Sequence, residues 1–157
     1  MQIEEMNIDF RIRIAGEGAY RNLLEEQIEK NNIKHRVELL GDVDDVAKWK
    51  YLQESDIFIL TSIREGSCIA LREARFAGCI LISSDVGDSR EFIGDCGIVF
   101  PISNQVALNE ISLRLCTDEY TMQLLSACSR IESEKIPTYT TKSYSKLYLK
   151  TYGYVFN

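Results

Sequence analysis

Two glutamates eight positions apart, Glu65 and Glu73, carry the most chemistry in this sequence. They lie in the segment Thr61-Ser62-Ile63-Arg64-Glu65-Gly66-Ser67-Cys68-Ile69-Ala70-Leu71-Arg72-Glu73-Ala74. An apolar, β-branched run, Ile57 to Leu60, precedes it, and helical periodicity follows from about Ser67 to Ala77. Glu65 therefore falls in a strand-to-helix loop, and Glu73 sits two turns into the helix. At roughly 100° per residue, Ile69, Ala70, Ala74, Phe76 and Ala77 share one broad apolar arc with Glu73 in its middle. Arg72 and Arg75 fall outside that arc. A carboxylate among apolar neighbours needs a partner, because an unpaired buried charge is costly. One option is structural: Glu73 emerges at the sheet edge and caps backbone or pairs with an arginine. The other is a carboxylate reserved for vicinal hydroxyls, such as those of a ribose. Gly66, Ser67, Cys68 and Ile69 would form the first turn, whose orphan N–H groups and positive dipole end suit a diphosphate. Gly66 allows close backbone approach, and Ser67 can cap or donate. A Gly-Ser helix start alone resembles any N-cap. With a glutamate on each side it becomes a hydroxyl–phosphate–hydroxyl array.

Other polar groups offer less. Gly16-Glu17-Gly18 follows a strand, but Arg21 stands where the full Gly-x-Gly-x-x-Gly fingerprint needs its last glycine. It reads as a turn near a ligand cleft. Asp85-Val86-Gly87-Asp88-Ser89-Arg90-Glu91 reads as a helix start with Asp88 or Ser89 as cap. His35 is the only histidine and lies in a linker as a surface residue, so no Ser/His/Asp or Cys/His site is tenable. The five cysteines, Cys68, Cys79, Cys96, Cys116 and Cys128, form no Cys-x-x-Cys pair. Their odd number and spacing argue against a metal site and a disulfide framework, and for small core residues in a reducing, cytoplasmic setting.

The elements that position these residues alternate along the chain. Strands are expected at Phe10–Ala15, Arg36–Leu40, Ile57–Leu60, Ile80–Ile82 and Ile98–Phe100. Helices are expected at about Tyr20–Lys30, through Val46, Trp49 and Leu52, at Ser67–Ala77, and briefly at Ser89–Ile93. Beyond Pro101 the pattern is helical near Val106–Cys116 and Glu119–Arg130, with a last helix from about Thr141. The alternation marks an α/β fold, a Rossmann-like doubly wound parallel sheet in one domain, with Ile57–Leu60 as a strand buried on both faces. Ligands of such sheets bind beyond the carboxyl ends of the strands, after Ala15, Leu40, Leu60 and Ile82. The 157 residues, 45% apolar and 27% charged, argue against disorder and give the size of one domain. A net charge of -6 disfavours nucleic acid as a partner. No run approaches the roughly 20 apolar residues of a membrane span, and Met1–Glu5 is no signal peptide. The first strand arrives late, so the usual opening strand–helix unit is missing or reduced to Met1–Ile8. The chain thus looks like a fragment. Tyr144, Leu147, Tyr148 and Tyr152 form an aromatic stripe near its end, for packing on its own domain or docking on a partner.

Taken together, these segments resemble a known family. Glu65-Gly66 through Glu73-Ala74 is similar to the E-x7-E motif of family 4 retaining glycosyltransferases of the GT-B fold. The resemblance extends, in order, over Ile14–Gly18, Val37–Val43, Ser55–Ser62 and Asp85–Pro101, nearly the whole chain. Ile80 departs from it where many members carry a proline, as does Arg75-Phe76. The resemblance implies that residues 1–136 are a nucleotide-sugar-binding domain and that helix 137–157 packs across to an absent N-terminal, acceptor-binding domain. It places Glu65 by the donor sugar as the catalytic carboxylate and Glu73 on the ribose. It sets Gly66, Ser67, Cys68 and Ile69 against sugar and diphosphate, and Val43 with Gly16 about the rest of the donor. The family's basic pair for the diphosphate would lie on the absent opening unit. The implied donor is of UDP or GDP type, with no cofactor and no obligatory metal, and electrostatic stabilisation of the leaving diphosphate. The acceptor would be a saccharide or lipid-linked saccharide, since Asp85–Ser89 is similar to members that build bacterial surface polysaccharides. The full-length enzyme would be cytoplasmic or peripheral to the inner membrane face, the fragment alone inactive, and the tyrosine-rich end a site of self-association. Two alternatives stay open: a non-catalytic nucleotide-binding or interaction module, and a GT-B sugar epimerase.

Overall fold

The structure is a computed structural model that describes residues 9–134. Strand β1 (Ile12–Ala15), helix α1 (Arg21–Lys30) and strand β2 (Val37–Gly41) make a first unit that ends at Lys48. β1 and β2 run parallel, with Ile12 opposite Val37 and Ile14 opposite Leu39. Arg13 faces Glu38 between them, and the two side chains pair at 3.7 Å. Helix α2 (Asp45–Gln53) follows, its start capped by the Asp44 carboxylate, which accepts from Ala47 N–H at 2.8 Å.

The second unit, from Trp49 onward, holds β3 (Ile57–Leu60), α3 (Ile69–Phe76), β4 (Ile80–Ser84), α4 (Ser89–Ile93), β5 (Gly97–Phe100), α5 (Gln105–Thr117) and α6 (Glu119–Glu134). Its three strands are parallel in the order β3-β4-β5. Successive side chains of a strand point to opposite faces, and here both faces are covered. Leu81 turns one way, into a cluster with Leu71, Ala74, Ile93 and the partly buried Phe58, Leu60 and Val99. Ile80 and Ile82 turn the other way, against Phe100, Leu115 and Leu125. This is the doubly wound α/β arrangement that the alternation predicts. Asn104 starts α5 by accepting from Ala107 N–H at 3.0 Å, and Asp118 starts α6 by accepting from Thr121 N–H at 3.1 Å.

Three expectations need correction. The ladders fall into two sheets, β1-β2 and β3-β4-β5, rather than one. The strand buried on both faces is β4, all five of whose residues are buried, and not β3, whose Ile59 is 46% exposed. β4 has a hydrogen-bonded strand on each side, which β3 lacks within its sheet. Cys96 and Cys128, 32 positions apart, are joined by a disulfide across a Cα separation of 5.3 Å, tying the turn before β5 to α6. The spacing rule missed it because packing of α6, not sequence proximity, brings the two together. Cys68 and Cys79 are buried core thiols, as expected. No helix among the described residues is long and apolar enough to cross a membrane. The tyrosine stripe and the helix expected over 137–157 lie outside the described residues.

Candidate functional site

The loop from Thr61 to Cys68 leaves the carboxyl end of β3, and α3 carries the chain away from it. Glu65 is half-buried there, and its Oε1 accepts from Ser62 Oγ at 2.7 Å. Glu73 stands in the second turn of α3, half-buried and itself engaged. Between them the helix begins at Cys68 with no cap from its own side chain. The cap comes instead from Asp88, on the loop after β4, whose Oδ1 accepts from Cys68 N–H at 3.1 Å. The same carboxylate pairs with the Arg72 guanidinium. Asp88 thus does not cap its own helix α4, and neither does Ser89, whose Oγ accepts from Val86 N–H and donates to Ser84 O, both at 3.1 Å. Either residue type suits a local cap, and nothing in the spacing points Asp88 to a helix twenty residues back.

These groups set one another's protonation. Burial pushes Asp88 upward, but the Cys68 amide and the Arg72 guanidinium outweigh it and hold the carboxyl below its ordinary 3.8. Burial, reinforced by the charges of Asp88 and Glu65, raises the Cys68 thiol to about 11. Cys68 is thus a packed, protonated thiol and no nucleophile. Of the first-turn amides, Cys68 N–H is taken by Asp88, and Ile69 N–H donates to Ser67 O at 2.9 Å. The N–H groups of Gly66 and Ser67 have no acceptor among the described residues. Ser67 Oγ is buried and likewise unbonded there.

Helix α3 also departs from the expected arc. Leu71, Ala74 and Arg75 are its buried residues, while Ile69 is 38% exposed. The helix is held between the sheet and α6, so burial wraps further round it than one apolar arc. Arg75 is satisfied in this setting: its Nη2 donates to Phe92 O at 2.8 Å and Ile93 O at 2.9 Å, the orphan carbonyls at the end of α4. Arg72 and Arg75 both stack on the Phe92 ring, each 4.5 Å from its centroid.

In the first unit, Gly16 has φ 121° and its N–H donates to Gly41 O at 2.8 Å, so the Gly16–Gly18 turn closes on the end of β2. Val43 is half-buried just beyond β2, and His35 is exposed as expected. Among the described residues no group of His, Cys, Asp or Glu is arranged to hold a metal ion.

A family profile described as glycosyl transferases group 1 matches residues 1–135. A phosphatidylinositol N-acetylglucosaminyltransferase component of Arabidopsis thaliana is 35% identical over 89 residues, which is 57% of this chain and 20% of that protein. Among solved structures, WaaG, a glycosyltransferase involved in lipopolysaccharide biosynthesis, superposes with TM-score 0.69 at 21% identity, over 86% of this chain and 36% of that one. HepE of Anabaena, solved in complex with UDP-glucose, does so with TM-score 0.62 at 21% identity, over 79% and 36%. The chain spans a fifth of the length of that Arabidopsis relative and about a third of those structures. The fold is a Rossmann-like half of a GT-B glycosyltransferase, and the chain belongs to the glycosyl transferases group 1 family.

Proposed function

We propose that this chain is the nucleotide-sugar-binding domain of a family 4 retaining glycosyltransferase, with Glu65-x7-Glu73 as its donor motif. The observation that supports it most is the start of α3: two unclaimed amides, Gly66 and Ser67, at the positive end of a helix and flanked by two half-buried glutamates. In this reading Gly66 and Ser67 N–H receive the diphosphate, and Ser67 Oγ supplies a further donor. Glu65, steadied by Ser62 Oγ, faces the donor sugar, and Glu73 accepts from the ribose hydroxyls. Gly16 and Val43, in the first unit, enter the reading only as what the family resemblance implies. The leaving diphosphate is stabilised by fixed N–H dipoles, which need no reorganisation as charge develops.

A UDP-type donor is supported by HepE, solved with UDP-glucose, and a role in bacterial surface polysaccharide by WaaG and by the Asp85–Ser89 stretch. The acceptor is a saccharide or lipid-linked saccharide held outside these residues, so the 157 residues alone transfer no sugar. Amide chemical-shift mapping of the chain with UDP, GDP and ADP tests the reading. The expected result is saturable shifts from one nucleotide, centred on Glu65–Ile69 and Glu73. Shifts that map elsewhere in the second unit would contradict it.

A further inference from the structure

The loop after β4 is fastened onto the loop after β3 at every step. Ser84 Oγ donates to Ser62 O at 2.6 Å. Gly87, at φ 51°, lies so close that a Cβ there would sit 2.7 Å from Gly66 O and 3.0 Å from Glu65 O. The Cys68 thiol lies 3.6 Å from Val86 O. Asp88 finishes the seam with one carboxylate oxygen on Cys68 N–H and the other on Arg72. An aspartate is an unusual neighbour for an anion site, since its charge opposes a phosphate. Its pairing with Arg72 cancels that charge. The same guanidinium stacks on the Phe92 ring, 4.5 Å from its centroid.

We infer that Asp88 is a positioning residue: its carboxylate, its charge balanced by Arg72, pins the first turn of α3 through Cys68 N–H, so that the Gly66 and Ser67 amides stand in fixed places for the donor diphosphate. This rests on the donor-site reading above. Asp88 acts through the loop and touches no ligand. It therefore matters for the phosphate end of the donor and not for its base and ribose, a distinction that general structural support would not make.

The test titrates the full chain calorimetrically with UDP, GDP and ADP and with the matching nucleosides, for wild type, Asp88→Ala and Asp88→Asn. Amide hydrogen exchange at Cys68 is followed without ligand. Asp88→Ala is expected to weaken the bound diphosphate about tenfold more than its nucleoside, the size of one charge-assisted hydrogen bond, and to speed exchange at Cys68. Asp88→Asn keeps an acceptor oxygen but not the charge and recovers part of the loss; if the alanine variant does not fold, the remaining loss, again confined to the diphosphate, is read on Asp88→Asn. Equal weakening of nucleoside and diphosphate, or none, overturns the inference. If wild type binds no nucleotide, the donor reading fails, and exchange at Cys68 decides the rest. Unchanged exchange in the variants removes the pin as well, whereas faster exchange upholds it as a fastening of the two loops.

Discussion

Asp88 and Cys68, twenty residues apart, set each other's chemistry, and both consequences can be measured. With its thiol raised to about 11 by burial and by the nearby carboxylates, Cys68 should resist iodoacetamide at pH 8 while the protein is folded. Peptide mass spectrometry should find it labelled only after denaturation; rapid labelling of native protein would contradict the packing described. Asp88 titrates the opposite way. Its folded pKa lies below its ordinary value, so its stabilisation is present above that value and is lost as pH falls through the folded pKa. Asp88→Asn should therefore be less stable than wild type at neutral pH, with the gap closing below about pH 4. A gap that widens in acid would mean that Arg72 and the Cys68 amide do not hold the charge. Glu65 and Glu73 were visible in the sequence because their spacing lies within one loop and one helix. The Asp88–Arg72 pair was not, since it spans 16 residues and both partners have ordinary local uses, one as a cap and one as a surface arginine.

Among the elements, α3 carries the proposed site and packs against both the sheet and α6. Arg75 is buried against two carbonyls of α4 and an aromatic ring, so Arg75→Ala should cost about 2–4 kcal/mol in urea unfolding. A loss below about 0.5 kcal/mol would place it with ordinary surface arginines. Gly87→Ala should cost about 1–3 kcal/mol through its left-handed backbone and its approach to Gly66 O, and should perturb the Glu65 loop with it. A neutral Gly87→Ala would show that the two loops are not fastened. The order and type of all eleven elements in the described residues were legible, because apolar runs of four or five residues alternate with helical periods. Burial was less so. One apolar arc assumes one partner surface, whereas α3 meets the sheet and α6 together and so buries Arg75 and Leu71 beside Ala74. The central place of β4 was hidden for a similar reason. Ile57–Leu60 and Ile80–Ile82 are equally apolar, and pairing order, which sequence does not state, decides which is covered on both faces.

For the molecule as a whole, the second unit owes its stability to two apolar clusters, one on each face of β3-β4-β5, and to the Cys96–Cys128 bridge. Closing a 32-residue span should be worth about 3–4 kcal/mol through the unfolded chain. Reduction, or Cys128→Ser, should lower the melting temperature without moving the nucleotide shifts at Glu65–Ile69. Identical melting with and without reductant, alongside two free thiols by mass, would show that Cys96 and Cys128 are not bridged. Membership of the glycosyl transferases group 1 family, which the profile match over residues 1–135 shows, was legible from five short segments in order. What the chain does rests on the α3 start, and one measurement reaches that claim directly: calorimetric titration of the purified chain with UDP, GDP and ADP, repeated on Glu73→Ala. One nucleotide is expected to bind at millimolar or tighter affinity, about -4 kcal/mol, and Glu73→Ala to lose it. Equal binding by wild type and Glu73→Ala would contradict the ribose role of Glu73 and with it the donor site built around α3.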